Sequence, residues 1–172
     1  MSHQPAHQPV IDGFEFASAG AKQQGVWPLR DFPRLRDVLA SDAGQVAYEI
    51  SGLRDERGRP SLRLKVKGTL MLRCQRCLEA MAFDVDTDET LVLAATLAEI
   101  HAEPADSHAP DRVVAGREMA VRELIEDELI LAVPYAPRHE DCEPAGAGAK
   151  VDERGDKLSP FAGLRGMIRS KH

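Results

Sequence analysis

Three cysteines and one histidine carry the clustered ligand chemistry of this chain. Cys74 and Cys77 form a Cys-x-x-Cys, His139 and Cys142 form a His-x-x-Cys, and 61 residues separate Cys77 from His139. Thiolate sulfur and imidazole nitrogen are the donors of closed tetrahedral zinc sites, so the four side chains would make a structural Cys3His centre. Arg73 and Arg76 flank the first pair and would favour its ionised thiols. Two features stand against zinc: Leu78 takes a place where a zinc knuckle usually has Gly, and the second pair is not another Cys-x-x-Cys. Reduced, unligated thiols are the competing reading. Redox catalysis is the least supported, because a thioredoxin-like dithiol sits at a helix start in a βαβ unit, and here strand follows strand.

The second candidate is a ladder of cations. In LRLKVKGTLMLRC, from Leu62, the residues Leu62, Leu64, Val66, Gly68, Leu70, Leu72 and Cys74 keep one parity, while Arg63, Lys65, Lys67, Thr69, Met71 and Arg73 keep the other. Alternate strand residues project from one face roughly 6.5–7 Å apart, which suits successive phosphates of an extended RNA. Arg63, Lys65, Lys67, Arg73 and Arg76 are therefore candidate RNA-binding residues. The competing reading has Arg63, Lys65 and Lys67 meeting Glu49 and the row Asp84, Asp86, Asp88 across neighbouring strands. Sequence alone leaves both open. Few aromatics accompany the ladder, so a base-stacking sheet of the RRM kind is not expected.

A third candidate is the helix EMAVRELIEDELILAVP, ended by Pro134. Val121, Leu124, Ile125, Leu129 and Ala132 form its apolar stripe, and Glu128 falls inside it. A carboxylate there is paired, protonated or at the rim: it would serve His139 or an arginine as a partner, or lie at the edge of a rotated or frayed helix. Glu123, Glu126 and Asp127 are placed on the outer face, as an acidic docking surface for a basic partner.

The elements that position these residues follow from periodicity. DFPRLRDVLA, from Asp31, predicts a short helix with Asp31 as N-cap, Pro33 in the first turn, and Phe32, Leu35, Val38 and Leu39 facing inward. Period two then takes over in QVAYEISGL, in the ladder, and in AFDVDTDETLVL. The turns DERGRP and CQRCLEAM join these three strands into an antiparallel meander. The expected fold is α+β, a meander covered by helices. Residues 1–13 read as a disordered N-terminus, 14–142 as one domain, 98–112 as a polar loop and 143–158 as a flexible linker. Residues 159–172 read as a short helical motif with Phe161 and Leu164 on its apolar face, a further candidate partner-binding surface.

Composition agrees with a chain of this kind. Its 172 residues are 43% hydrophobic and 29% charged, enough for one modest core. The net charge of −6 conceals segregation: Arg54–Arg76 carries eight basic and two acidic residues, and Cys77–Glu128 carries fourteen acidic residues and three arginines. The N-terminal run lacks the marks of a signal or transit peptide, no apolar run is long enough to span a bilayer, and the odd cysteine count argues against a secreted disulfide framework. A cytoplasmic protein is expected. There is no Ser-His-Asp arrangement, phosphate-cradling glycine loop or paired carboxylate in a predicted cleft, so neither catalysis nor a small-molecule substrate is expected.

The order LRCQRCLEAM, RELIEDELILAVPYAPRHEDC and SPFAGLRGMI resembles the YceD family, bacterial proteins with plastid relatives. The resemblance runs from about Phe16 to Ile168. The family pattern maps onto Cys74 and Cys77, Glu126 and Glu128, Pro134, His139 and Cys142, and Pro160 and Phe161, with Val133 standing where relatives usually have Leu. The resemblance implies a non-enzymatic role in synthesis, processing or stability of large-subunit (23S) ribosomal RNA, with that RNA or a basic large-subunit ribosomal protein as partner. It carries no catalytic residue. The rival readings are a thiol-redox or zinc-dependent enzyme at Cys74 and Cys77, and a protein-only chaperone for a basic ribosomal protein.

Overall fold

The computed structural model describes residues 9–102 and 109–145. The three expected strands form the centre of the sheet: β4 (Gln45–Arg54), β5 (Pro60–Arg73) and β6 (Ala80–Ala94). They pair antiparallel in sequence order, with Val46 opposite Gly68 and Leu70 opposite Phe83. β2 (Lys22–Pro28) adds antiparallel to β4, β7 (Arg112–Val114) adds parallel to β6, and β3 (Leu39–Ser41) pairs with β5 beyond the end of β4. β1 (Val10–Ile11) and β8 (Met119–Ala120) make a separate two-stranded ribbon. The helices are α1 (Gly13–Ser18), α2 (Leu97–Ala102) and α3 (Val121–Ala132). No helix among the described residues is long and apolar enough to cross a membrane. The fold is α+β.

The apolar parity of β5 points inward: Leu62, Leu64, Val66, Leu70, Leu72 and Cys74 are all buried. α3 brings Val121, Ile125 and Leu129 into the same core. α1 lies so close to β4 that a Cβ on Gly52 would run into the Phe16 carbonyl oxygen and come within 2.7 Å of Ala17 Cα. Gly25 has a related reason: the Tyr48 ring lies against it, stacked at 4.8 Å on Trp27. The opposite parity of β5 faces solvent.

Several expectations are corrected. The helix from Asp31 is absent; Leu29–Asp31 and Pro33–Leu35 are single 3₁₀ turns. Phe32 precedes a proline, which disfavours the helical region, and its φ of −108° and ψ of 89° break the run. Phe32, Leu35 and Leu39 are buried as expected, but Val38 turns out to 39% exposure. Residues 10–13, assigned to a disordered terminus, are β1 and the capped start of α1, where the Glu15 N–H donates to Asp12 Oδ1 at 3.0 Å. The polar loop at 98–112 contains most of α2 and the start of β7. The linker beyond Ala145 and the 159–172 motif, with Phe161 and Leu164, lie outside the described residues.

Candidate metal centre and charged sheet face

β5 delivers Cys74 to the buried end of the sheet, and the next five residues turn the chain into β6. Two backbone bonds shape that turn: the Leu78 N–H donates to Cys74 O at 3.0 Å, and the Cys74 N–H donates to Glu79 O at 2.9 Å. The turn requires a left-handed residue at position 78. With no glycine there, Leu78 itself adopts φ 66°, at a cost of roughly 1–2 kcal/mol, and its side chain is exposed. The segment after α3 lies alongside. The Gln75 N–H donates to Pro137 O at 2.8 Å and the Ala145 N–H to Arg76 O at 3.0 Å, which brackets His139 and Cys142 between two anchor points.

The four predicted ligands converge. Cys74 Sγ lies 3.8 Å from Cys142 Sγ, and Cys77 Sγ lies 3.3 Å from His139 Nδ1. All four donor atoms fall within 4.8 Å of one another. Zn–S bonds of ~2.3 Å and Zn–N bonds of ~2.0 Å give tetrahedron edges of about 3.8 Å between sulfurs and about 3.5 Å between sulfur and nitrogen. The Cys74–Cys142 and Cys77–His139 separations match those edges, and no pair of donor atoms is more than 4.8 Å apart. No disulfide competes, since all three thiols are free.

Local electrostatics also fit a cation. Burial pushes the Cys74 thiol up, but backbone N–H groups of Cys77, Arg76 and His139 outweigh it and draw the thiol down to about 5. Burial, with the neighbouring sulfurs of Cys74 and Cys77, raises Cys142 to about 11. Without a cation, one sulfur ionises at the expense of another. A divalent metal removes that conflict.

The ladder is a different case. Arg63, Lys65 and Lys67 do emerge together on the open face, but the face is not a free cationic stripe. Arg63 makes a two-pronged pair with Asp88 at 2.6 and 2.7 Å, and Lys67 reaches Asp86 at 2.8 Å. Lys65 lies 4.0 Å from Glu49, and the Thr69 hydroxyl donates to Asp84 at 2.6 Å. The register is the cause: Lys65 stands opposite Asp88, Lys67 opposite Asp86 and Thr69 opposite Asp84. The expectation that these three cations form an open RNA track is corrected, and the alternative of cross-strand pairs holds. Arg73 and Arg76, further along toward the turn, are exposed and make no ion pair among the described residues.

The acidic helix face is also corrected. Glu126 does not point outward; it is 2% exposed and receives the Arg34 backbone N–H at 2.6 Å and Arg34 Nε at 2.9 Å. The same guanidinium reaches Asp127 Oδ1 at 2.5 Å and the Glu123 carbonyl at 3.3 Å. α3 is phased so that Ile125 and Glu126 both turn toward the body, and Glu126 caps the second 3₁₀ turn. Of the three predicted docking carboxylates, only Glu123 has an exposed side chain without an ion pair among the described residues. Glu128 is buried, so the reading that placed it at the rim of a rotated or frayed helix is corrected. Among the described residues it makes no ion pair with an arginine or with His139. Burial raises its carboxyl, and Glu89, Asp111 and Asp127 add to the effect.

Two residues were missed. Arg34 sits in a presumed helix whose partners lie some ninety positions away, so no local signal marked it. Tyr135 is fully exposed between Pro134 and Pro137, and an aromatic between two prolines just past a helix was a readable signal. No solved structure matches the chain. A family model described as "Large ribosomal RNA subunit accumulation protein YceD" matches residues 62–167, which takes in most of β5, the turn with Cys74 and Cys77, α3 and the segment with His139 and Cys142, and the chain belongs to the YceD family.

Proposed function

We propose that this chain supports accumulation of large-subunit ribosomal RNA in the cytoplasm by holding RNA, not by catalysing a reaction, and that a zinc ion braces the end of the sheet that does so. One observation carries the proposal: four ligand-type side chains from two segments 61 residues apart meet at zinc-tetrahedron spacing. Four protein donors complete the coordination sphere, so no position is left for water or substrate, and the metal's role is structural. When bound, the zinc supplies a cross-link between the β5–β6 turn and the chain leaving α3. The thiol-redox rival is disfavoured by the same closure, and the ribosomal-protein chaperone rival by the burial of Glu126 and the pairing of Asp127 with Arg34.

Elemental analysis of protein purified without chelator tests the metal. One zinc per chain is expected, lost in Cys74→Ser; protein with no metal and unchanged folding would overturn the centre. Crosslinking in cells, read separately for RNA and for protein, tests the role. Recovery of large-subunit RNA is expected, and recovery of protein alone would overturn RNA holding in favour of the chaperone reading.

A further inference from the structure

The β5–β6 turn and the chain leaving α3 carry exposed cations without ion pairs among the described residues, and exposed large apolar side chains lie on the same two segments. Leu131, in the last turn of α3, is 72% exposed, and Tyr135, three residues past its end at Ala132, is fully exposed. Leu78, in its left-handed turn, is 58% exposed. Monomeric proteins seldom leave an aromatic wholly in solvent beside other large apolar groups unless something covers it. Tyr135 is also not a loose residue. Pro134 and Pro137 fix the backbone on either side, the Pro137 carbonyl is bonded to Gln75, and His139 reaches Cys77. The backbone that carries the ring therefore needs little further ordering on binding.

Three guanidiniums belong to the same end of the sheet. Arg73 and Arg76 flank Cys74 and Gln75, and Arg138 follows the Pro137 to which Gln75 bonds. All three are exposed, and none makes an ion pair among the described residues, unlike Arg63, Lys65 and Lys67. An open aromatic ring on a segment bonded to a turn that carries unpaired guanidiniums is the chemistry that receives single-stranded nucleic acid: a base stacks on the ring while cations meet the phosphates. Glu79, Glu140 and Asp141 are exposed nearby and weaken the general positive field, so stacking has to supply much of the affinity.

We infer that Tyr135, with Arg73, Arg76 and Arg138, forms the contact site for single-stranded RNA, and that the Cys3His turn is the platform that holds it. The inference rests on the RNA-holding reading above and gives it a location away from the paired ladder.

Fluorescence anisotropy of full-length, zinc-loaded protein with a labelled 12-nucleotide single-stranded RNA of mixed sequence tests it. Tyr135→Ala is expected to weaken binding about tenfold, within the range for loss of one stacked base, and Tyr135→Phe to stay within about twofold. Replacing Arg73, Arg76 and Arg138 together by Glu is expected to abolish most of the salt dependence, which for three phosphate contacts has a log–log slope of about −2. Zinc content and thermal midpoint, measured for each variant, separate lost contact from lost fold. If the parent binds and every correctly folded variant binds equally well, the location is wrong while RNA holding stands. If the parent binds no RNA at any salt concentration, RNA holding itself falls and the site with it.

Discussion

Arg34→Ala is the most informative single change, because it decides whether Glu126 and Asp127 are structural or available to a partner. Arg34 joins the second 3₁₀ turn to α3 with three side-chain bonds, and its own backbone N–H makes a fourth to Glu126. Removing the guanidinium leaves a carboxylate that is 3% exposed, with the Arg34 N–H as its one remaining donor among the described residues. Breaking a fully buried pair costs about 3–5 kcal/mol, but the Arg34 side chain is 47% exposed and water can enter its place, which lowers the expectation to about 2–3 kcal/mol. At roughly 2–4 °C per kcal/mol for a chain of this length, the thermal midpoint should fall by about 4–12 °C. Circular dichroism of zinc-loaded protein reads this directly. Pairing the change with Glu126→Gln in a double-mutant cycle should show a coupling of about 1–2 kcal/mol. A midpoint within about 1 °C of the parent, or additive effects in the cycle, would refute the clamp and leave Asp127 available to a partner.

Glu128→Gln should stabilise the protein by about 1 kcal/mol at pH 8, because it removes a negative charge that burial and the nearby Glu89, Asp111 and Asp127 disfavour. Its folded carboxyl lies above the ordinary 4.5, so the native state binds the proton more tightly than the unfolded state, and the parent loses stability as pH rises through that window. The gain should therefore fade as pH is lowered toward 4, and a gain that persists or grows there would refute the assignment. Gly52→Ala should cost about 3 kcal/mol or more in urea unfolding, because the added methyl meets α1 backbone and not a movable side chain. A cost below about 1 kcal/mol would mean that α1 is not seated on β4 as described.

The central sheet was legible in the sequence because its signal is local. Period-two runs with charged turns between them determine strands, and consecutive strands with short turns pair as a meander. The Cys3His cluster was legible for a related reason: few residue types can hold zinc, and all three cysteines and one of the six histidines fall in two short motifs. β2 was not legible, since KQQGVWP has little alternation and becomes a strand only because β4 offers an edge and Tyr48 a ring for Gly25 to lie against. The helix expected at Asp31 failed because Phe32 and Pro33 are governed by the turn and by the reach of Glu126 to the Arg34 N–H.

The ladder marks the division most clearly. Side-chain parity along β5 follows from backbone geometry, so the sequence by itself determined that Arg63, Lys65 and Lys67 share an exposed face. Whether those charges stay free depends on which carboxylates the neighbouring strands bring opposite them. The β5–β6 register decided that, placing Asp86 and Asp88 within reach and leaving Arg73 and Arg76 beyond the acidic row. Charge is a property of residues, but neutralisation is a property of distances, and those are set only when the chain is folded.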